Sequence, residues 1–199
     1  MLWRSAGTTT DEGKPTRSEA KVADTATRAR APAATPQVMV AILFLDVVDS
    51  TALTEKFGDQ EFRERSRQLD GRLRDVIRKA GGTALQGKVL GDGIMAIFPA
   101  ARHAVECAIE FRSEAAAVSL ELHTGIHAGD VIREADNVYG GAVNIASRIQ
   151  AVSAPGQILV SDVVRGLART STTVEFNDLG EHELRGVSDP VRLYEVRAT

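Results

Sequence analysis

The chain has 199 residues, 43% of them apolar, with 24 Lys and Arg against 27 Asp and Glu for a formal net charge of −3. This length and apolar share suit one domain with a buried core, and the charge argues against a general nucleic-acid binder, which usually carries a basic surface. The single cysteine, Cys107, excludes an internal disulfide framework and a cysteine-based zinc site. The longest apolar run, residues 38–45, is far shorter than the ~20 residues of a membrane-spanning helix, so we expect a cytoplasmic protein without membrane contact.

The first part of the chain differs in composition from the rest. Residues 8–37 are mostly Thr, Ala, Pro, Gly and charged residues, with Val22 as the one large apolar side chain. Such a segment cannot bury enough apolar surface to offset the entropy that it loses on ordering. We therefore predict a flexible tail or linker over residues 1–37 and a folded domain over residues 38–199.

From residue 38 onward the hydrophobic pattern is that of strands alternating with helices. Residues 38–45 are all apolar, as expected for a strand that is buried on both faces. The predicted elements are a strand at 38–45, a helix at 59–79, strands at 83–90 and 94–98 joined by a tight turn, a helix at 101–116, a strand at 120–128, a helix at 142–152, a strand at 157–160, a helix at 161–168, and strands at 174–176 and 191–196. The initial order βαββαβ predicts an α+β, ferredoxin-like (split βαβ) fold with helices on one face of an antiparallel-rich sheet.

Two aspartates stand at the ends of predicted strands. Asp46 follows the first strand, and Asp92 lies at the tip of the hairpin formed by the next two. Because the first strand of a split βαβ sheet lies beside that hairpin, the carboxylates can converge on Mg²⁺ or Mn²⁺, which bind phosphates in turn. Each also has an ordinary interpretation, since Asp-Gly is a common hairpin turn and Asp46 could begin a turn. His123 and His127 face one side of a strand without a third ligand, and we interpret them as structural or surface residues.

Three short motifs follow one another along the chain: Phe-Leu-Asp-Val-Val-Asp-Ser-Thr at 44–51, Lys-Val-Leu-Gly-Asp-Gly at 88–93 and Val-Asn-Ile-Ala-Ser-Arg at 143–148. They resemble, in order and separation, those of the class III nucleotidyl cyclase catalytic domain, the family of adenylate and guanylate cyclases. The resemblance covers about residues 38–196, and the stretch from Leu-Arg-Gly-Val at 184–187 to Leu-Tyr-Glu-Val at 193–196 is similar to the family's ending. Each motif alone is a weak signal, but three in order are a strong one.

The resemblance implies roles for the first motif and for part of the second. Asp46 and Asp92 match the aspartates that hold two Mg²⁺ or Mn²⁺ ions per site, and the Val47 carbonyl matches a backbone ligand. The segment that resembles the triphosphate-binding loop includes Asp49, Ser50 and Thr51. Helix N-termini favour such anions in any family.

The remaining matches concern the base, the ribose and the phosphates. Lys88 occupies the position that selects the base, and a lysine donates to adenine N1 but cannot accept the N1 proton of guanine. Asn144 and Arg148 are four residues apart on a predicted helix and therefore project from one side. In the family this asparagine orients the ribose and this arginine stabilises negative charge on the α-phosphate, a task that suits a guanidinium. Arg185 matches a basic residue for the terminal phosphates.

One position departs from the adenylate cyclase pattern. Seven residues before the motif asparagine the family often has Asp or Thr, which accepts a hydrogen bond from the adenine amino group. This chain has Asn137 there, with Asp136 beside it. The Asn137 carbonyl can still accept that bond, or Asp136 takes its place, or base discrimination is loose. The strictness of ATP over GTP is therefore open.

Taken together, the resemblance implies an adenylate cyclase that makes 3′,5′-cyclic AMP and pyrophosphate from ATP for intracellular signalling. The ribose 3′-oxygen attacks the α-phosphorus in line, and two metal ions stabilise the attacking and leaving oxygens. The family's sites lie at a two-fold dimer interface, so a homodimer would take its metal-binding aspartates from one chain and Lys88, Asn137, Asn144 and Arg148 from the other. Two alternatives remain: a guanylate or loosely selective cyclase, and a regulatory domain that binds nucleotide without turnover.

Overall fold

The computed structural model describes residues 37–85, 93–135 and 137–198. Its strands are β1 (Gln37–Val47), β2 (Thr83–Leu85), β3 (Ile94–Phe98), β4 (Leu122–Glu134), β5 (Asn137–Tyr139), β6 (Ile158–Ser161), β7 (Glu175–His182) and β8 (Val191–Arg197). Its helices are α1 (Ser50–Phe57), α2 (Asp59–Lys79), α3 (Ala101–Ala117), α4 (Gly141–Ala151) and α5 (Asp162–Ala168). The predicted tail lies outside the described residues, except for its last residue, Gln37. The predicted hairpin tip also lies outside them.

The strands of the described residues form one sheet in the order β2-β3-β1-β4-β6-β8-β7, and β5 pairs with β4. β1 runs antiparallel to both β3 and β4, whereas β4 and β6 are parallel. The first four strands therefore have the order β2-β3-β1-β4, with helices connecting β1 to β2 and β3 to β4, which is the split βαβ arrangement. The predicted α+β, ferredoxin-like fold is confirmed.

Alternate residues of β1 belong to two hydrophobic cores, one on each face of the sheet. Leu43 and Leu45 lie in the larger core with residues of α2, α3 and α5, whereas Ile42 and Phe44 lie in a second core with residues of α4. The expectation that the helices lie on one face is therefore wrong. A strand that is apolar at every position needs cover on both sides, and α4 covers the second face.

Three elements differ from the sequence-based expectation. A separate helix, α1, precedes α2, and the chain turns between them at Gly58, whose φ of 82° glycine adopts readily. β4 continues to Glu134 and turns back into β5, which is too short to carry a hydrophobic pattern. β7 extends beyond the predicted residues 174–176. Most of its residues are polar and exposed, so the hydrophobic pattern of the sequence does not reveal them. None of the helices in the described part of the chain is long and apolar enough to cross a membrane.

Candidate functional site

Asp46 lies at the carboxyl end of β1, one residue before the strand ends. Its sequence neighbours Leu45 and Val47 point into the larger core, so strand alternation places the Asp46 side chain on the face that α4 covers. The residue is half-buried, and its Oδ1 accepts a 3.0 Å hydrogen bond from the Val47 N–H. Carboxylate oxygens are the hard ligands that Mg²⁺ and Mn²⁺ prefer, so Asp46 fits the predicted metal-binding role.

The chain turns directly after β1 and enters α1. Asp49 has φ 48° and ψ 41°, in the left-handed region, and its side chain makes no capping hydrogen bond to the helix that begins at Ser50. The N–H groups of the first helical turn have no partner within a helix, and the positive end of the helix dipole adds to their attraction for anions. Ser50 and Thr51 therefore stand where backbone N–H groups can bind phosphate oxygens. A surface cavity of about 450 Å³ lies beside this turn and is lined in part by Asp49.

Asn144 and Arg148 project from the side of α4 that faces away from the sheet. The buried residues of this helix are Ala142, Val143, Ala146 and Ile149. At about 100° per residue, Asn144 and Arg148 lie about 40° apart and roughly opposite the middle of that buried face. Both residues are exposed. The structure thus brings these two predicted residues together on one accessible surface, and it separates them from the sheet face on which Asp46 lies.

Helix α4 lies very close to β4 because two residues beneath it are glycines. A Cβ at Gly125 would lie 2.6 Å from the Gln150 Cα and 2.8 Å from the Ile149 carbonyl carbon. A Cβ at Gly129 would lie 2.9 Å from the Ala142 Cβ. These contacts also give the direction of the helix, which runs antiparallel to β4 and ends near the carboxyl end of β1. Sequence reasoning did not identify this pair, although two glycines four residues apart in a predicted strand signal a close approach of another backbone.

Arg185 is exposed in the connection between β7 and β8. Its neighbour Leu184 is buried in a third core together with Ile149 of α4, and Val187 packs against the same core. These contacts hold the connection against α4, so that Arg185 emerges beside the helix that carries Arg148. Arg185 also lines a surface cavity of about 480 Å³.

Asn137 is the first residue of β5, opposite Glu134 of β4. Its Oδ1 accepts a 3.0 Å hydrogen bond from the Val138 N–H, and its Nδ2 donates to the Tyr139 hydroxyl oxygen at 3.2 Å. Both ends of the amide are therefore engaged within the hairpin. The carbonyl oxygen has a second lone pair, which remains chemically suited to accept a bond from an adenine amino group.

Lys88, Asp92 and Asp136 lie outside the described residues, so the approach of Asp92 to Asp46 and the position of Lys88 stay predictions. Within the described ranges no group of three or more His, Cys, Asp or Glu side chains could hold a metal ion.

Both histidines of β4 lie on the face that α4 covers. The His127 Nδ1 lies 2.8 Å from the Ser161 Oγ, and burial lowers the pKa of His127 to about 4. His127 is therefore a neutral, hydrogen-bonded residue of the interior at ordinary pH, in agreement with its structural interpretation. His123 stands opposite Asp46 in the β1–β4 ladder, a neighbour that the sequence pattern did not indicate.

Comparison with known proteins agrees with this fold. The sequence profile of the adenylate and guanylate cyclase catalytic domain matches residues 33–198. The Rhizobium meliloti protein "Putative adenylate cyclase 3" is 30% identical over 167 residues, which are 78% of this chain and 28% of that protein. The chain thus spans less than a third of that relative's length.

Solved structures of both kinds of cyclase are similar to this chain. The adenylyl cyclase CyaB from P. aeruginosa has a TM-score of 0.74 and 24% identity, over 82% of this chain and 96% of that one. The guanylyl cyclase Cya2 has a TM-score of 0.72 and 27% identity, over 81% of this chain and 93% of that one. Because the family profile matches most of the chain, the chain belongs to the adenylate and guanylate cyclase catalytic domain family.

Proposed function

We propose that this chain is the catalytic domain of an adenylate cyclase, which converts ATP to 3′,5′-cyclic AMP and pyrophosphate at sites shared by two chains of a homodimer. The observation that carries the proposal is the division of the predicted residues between two surfaces. Asp46 lies on the sheet, whereas Arg148 points away from it on the outer side of α4. A helix with its side chains is about 10 Å across, and this separation of the two residues supports a site that is shared by two chains.

A second copy of the chain supplies the missing half. If the outer side of its α4 faces the end of β1 in the first chain, then Arg148 of one protomer meets Asp46 of the other. Two-fold symmetry repeats this arrangement, which gives two equivalent sites per dimer. Arg185 emerges beside α4, so the chain that supplies Arg148 to a site also supplies Arg185. The other chain supplies Asp46 together with the first turn of α1.

Arg148 and Asn144 supply positioning and charge stabilisation. The guanidinium is always charged and offers a planar set of donors, which suits the negative charge that develops on the α-phosphate during displacement. Asn144, on the same side of α4, offers both a donor and an acceptor to ribose hydroxyls. Holding the ribose 3′-oxygen in line with the phosphorus removes much of the entropic part of the barrier.

The acidic end of β1 is the proposed site for divalent cations. Asp46 and the Val47 carbonyl, completed by Asp92, would hold Mg²⁺ or Mn²⁺. When bound, these ions neutralise charge on the phosphates and favour deprotonation of the attacking hydroxyl. The first-turn N–H groups at Ser50 and Thr51 bind the triphosphate oxygens, and Arg185 adds positive charge near the terminal phosphates.

Lys88 carries the preference for ATP. Its ammonium group donates to adenine N1, whereas the N1 of guanine bears a proton and offers no lone pair. Asn137 assists by accepting from the adenine amino group. The same residue favours the second candidate, a loosely selective cyclase, because its amide is already engaged by Val138 and Tyr139. An asparagine that reorients would present a donor to guanine O6.

The direct test is turnover of ATP and of GTP by the purified protein with Mg²⁺ or Mn²⁺. We expect cyclic AMP and pyrophosphate in equal amounts, with kcat/KM for ATP at least about tenfold above that for GTP, as expected for one discriminating hydrogen bond. Comparable values for the two nucleotides would favour the loosely selective cyclase. Nucleotide binding without a cyclic product would instead indicate the regulatory domain.

The shared site has its own test, which uses inactive variants in combination. Asp46→Ala and Arg148→Ala should each lose at least about 100-fold in kcat. Mixing the two should restore activity, because each heterodimer contains one site with both residues intact. Asp130→Ala and Arg102→Ala are matched controls, since Asp130 is an exposed carboxylate at the other end of the β1–β4 ladder and Arg102 is exposed on α3. Heterodimers that form without recovering activity would contradict shared sites.

A further inference from the structure

The C-terminal end of α4 is tied to the start of β4 through Ser153. The His123 Nδ1 lies 2.6 Å from the Ser153 carbonyl oxygen. The Thr124 N–H donates to the Ser153 hydroxyl at 3.1 Å, and that hydroxyl donates to the Gln150 carbonyl at 2.8 Å. Because a carbonyl oxygen only accepts, the His123 Nδ1 carries the proton and donates. Ser153 is only 5% exposed, so water competes poorly for these bonds.

These bonds supplement a contact between α4 and β4 in which glycine and alanine residues take a large part. The helix contacts β4 through Gly125 and Gly129, and its own contact residues include Ala142 and Ala146. Surfaces made of small residues lack the interlocking ridges that set how one element lies along another. The N-cap of α4 is Gly140, which has no side chain to hold that end. The bonds to Ser153 therefore help to fix the position of the helix along the strand.

His123 also connects the two surfaces that the proposed site uses. It stands opposite Asp46 in the β1–β4 ladder, where facing residues have Cβ atoms about 4.5–5.5 Å apart. Through Ser153, His123 also holds the helix that carries Arg148, a residue five positions before Ser153 in the chain.

We propose that His123 is a positioning residue for this reaction. Its hydrogen bond to the Ser153 carbonyl sets the position of α4 along β4 from which Arg148 reaches the nucleotide in the other protomer's half of the site. The inference rests on the proposed function. His123 touches no substrate in this account, and its effect passes through Arg148. Loss of the bond should therefore lower kcat more than it changes KM, because Arg148 acts on charge that develops in the transition state.

Three substitutions separate this role from a general structural one. His123→Ala removes the donor, His123→Asn places an amide nitrogen near the position of Nδ1, and His123→Gln places one near the position of Nε2. We expect kcat to fall at least about tenfold in the alanine and glutamine variants, with KM within about threefold. The asparagine variant should recover most of the loss. His103→Asn is the matched control, because the Nδ1 of His103 has no hydrogen-bond partner among the described residues.

The heterodimer of Asp46→Ala and Arg148→Ala chains gives a sharper readout. Its one intact site takes Arg148 from the Asp46→Ala chain. Adding His123→Ala to that chain should lower activity at least about tenfold. Adding it to the Arg148→Ala chain, which supplies Asp46, should leave activity within about twofold. Equal losses in the two placements, a loss confined to the second placement, or glutamine rescuing as well as asparagine would each overturn the proposal.

Hydrogen exchange separates failure of this inference from failure of the proposed function. If the wild-type protein makes no cyclic nucleotide, the proposed function fails, but the bond to Ser153 still has a measurable consequence. In the full chain, His123→Ala should speed exchange of the Thr124 and α4 C-terminal amides at least about tenfold relative to the amides of α3, and His123→Asn should restore protection. Unchanged exchange in the alanine variant would refute the positioning role irrespective of activity.

Discussion

Replacing Gly125 with alanine tests whether the close approach of α4 to the sheet determines activity. The new Cβ would lie 2.6 Å from the Gln150 Cα and 2.8 Å from the Ile149 carbonyl carbon, closer than Cβ atoms come to other atoms in proteins. Both neighbours are backbone atoms of α4, so no side-chain rotation relieves the contact. The new Cβ would lie closer still to the Gln150 backbone nitrogen, so restoring an ordinary separation of 3.4 Å requires the helix and strand to part by more than about 1 Å.

This displacement determines the expected loss in free energy of unfolding and the expected loss in kcat. Overpacking of a core costs typically about 1–3 kcal/mol, and a contact between backbone atoms belongs at the upper end of that range. A misplacement of about 1 Å in a positioning element costs about 100-fold in rate, and α4 carries both Asn144 and Arg148. We therefore expect Gly125→Ala to fold, to lose about 3 kcal/mol in free energy of unfolding, and to lose about 100-fold in kcat.

The assay combines urea unfolding with steady-state cyclase kinetics on the same preparations. Gly71→Ala is the matched control, because Gly71 is an exposed residue of α2 and a Cβ there would meet nothing within 4 Å. The control should gain about 0.5–1 kcal/mol from helix propensity and keep its kcat. A Gly125→Ala protein with wild-type kcat and less than about 0.5 kcal/mol of destabilisation would refute the argument from close packing.

Three other predictions concern single side chains. Burial lowers the pKa of His127 to about 4, below its unfolded value of 6.5. The unfolded chain therefore binds the proton first, and the free energy of unfolding falls by up to about 3 kcal/mol as the pH drops from 6.5 to 4. His127→Gln should make urea unfolding less dependent on pH in this range, and an unchanged dependence would exclude His127 as its source. Burial first, and then nearby glutamates, raise the pKa of the Cys107 thiol to about 12, so only about 1 in 10⁴ molecules is thiolate at pH 8; iodoacetamide should label the native protein far more slowly than the guanidinium-unfolded chain, and equal rates would contradict the burial. Asp46→Asn keeps an acceptor for the Val47 N–H but removes the charge, so metal-dependent turnover should fall at least about 100-fold while the urea midpoint hardly moves; a parallel loss of stability would indicate a structural role instead.

The spacing of apolar residues was sufficient to predict the strands and helices that are determined by which of their own residues are buried. The unbroken apolar run at 38–45 predicted a strand that is buried on both faces; residues 40–45 are buried, whereas Val38 and Met39 are exposed. The helical spacing of apolar residues in α2 and α3 predicted helices packed on a sheet. The exposed pair Asn144 and Arg148 also followed from helical geometry alone. The polar strand β7 and the short strand β5 escaped prediction because their pairing with β8 and β4 stabilises them, which no local pattern reports.

The family could be identified from the sequence by itself, because its motifs consist of consecutive residues in a characteristic order. Only the tertiary structure decided which face of the sheet α4 covers, how closely it approaches at Gly125, and that His123 faces Asp46 while its ring bonds to Ser153. These contacts join residues about 25 to 75 positions apart in the chain. Their geometry depends on strand register and on the depth of helix packing, quantities that arise only when separate segments meet.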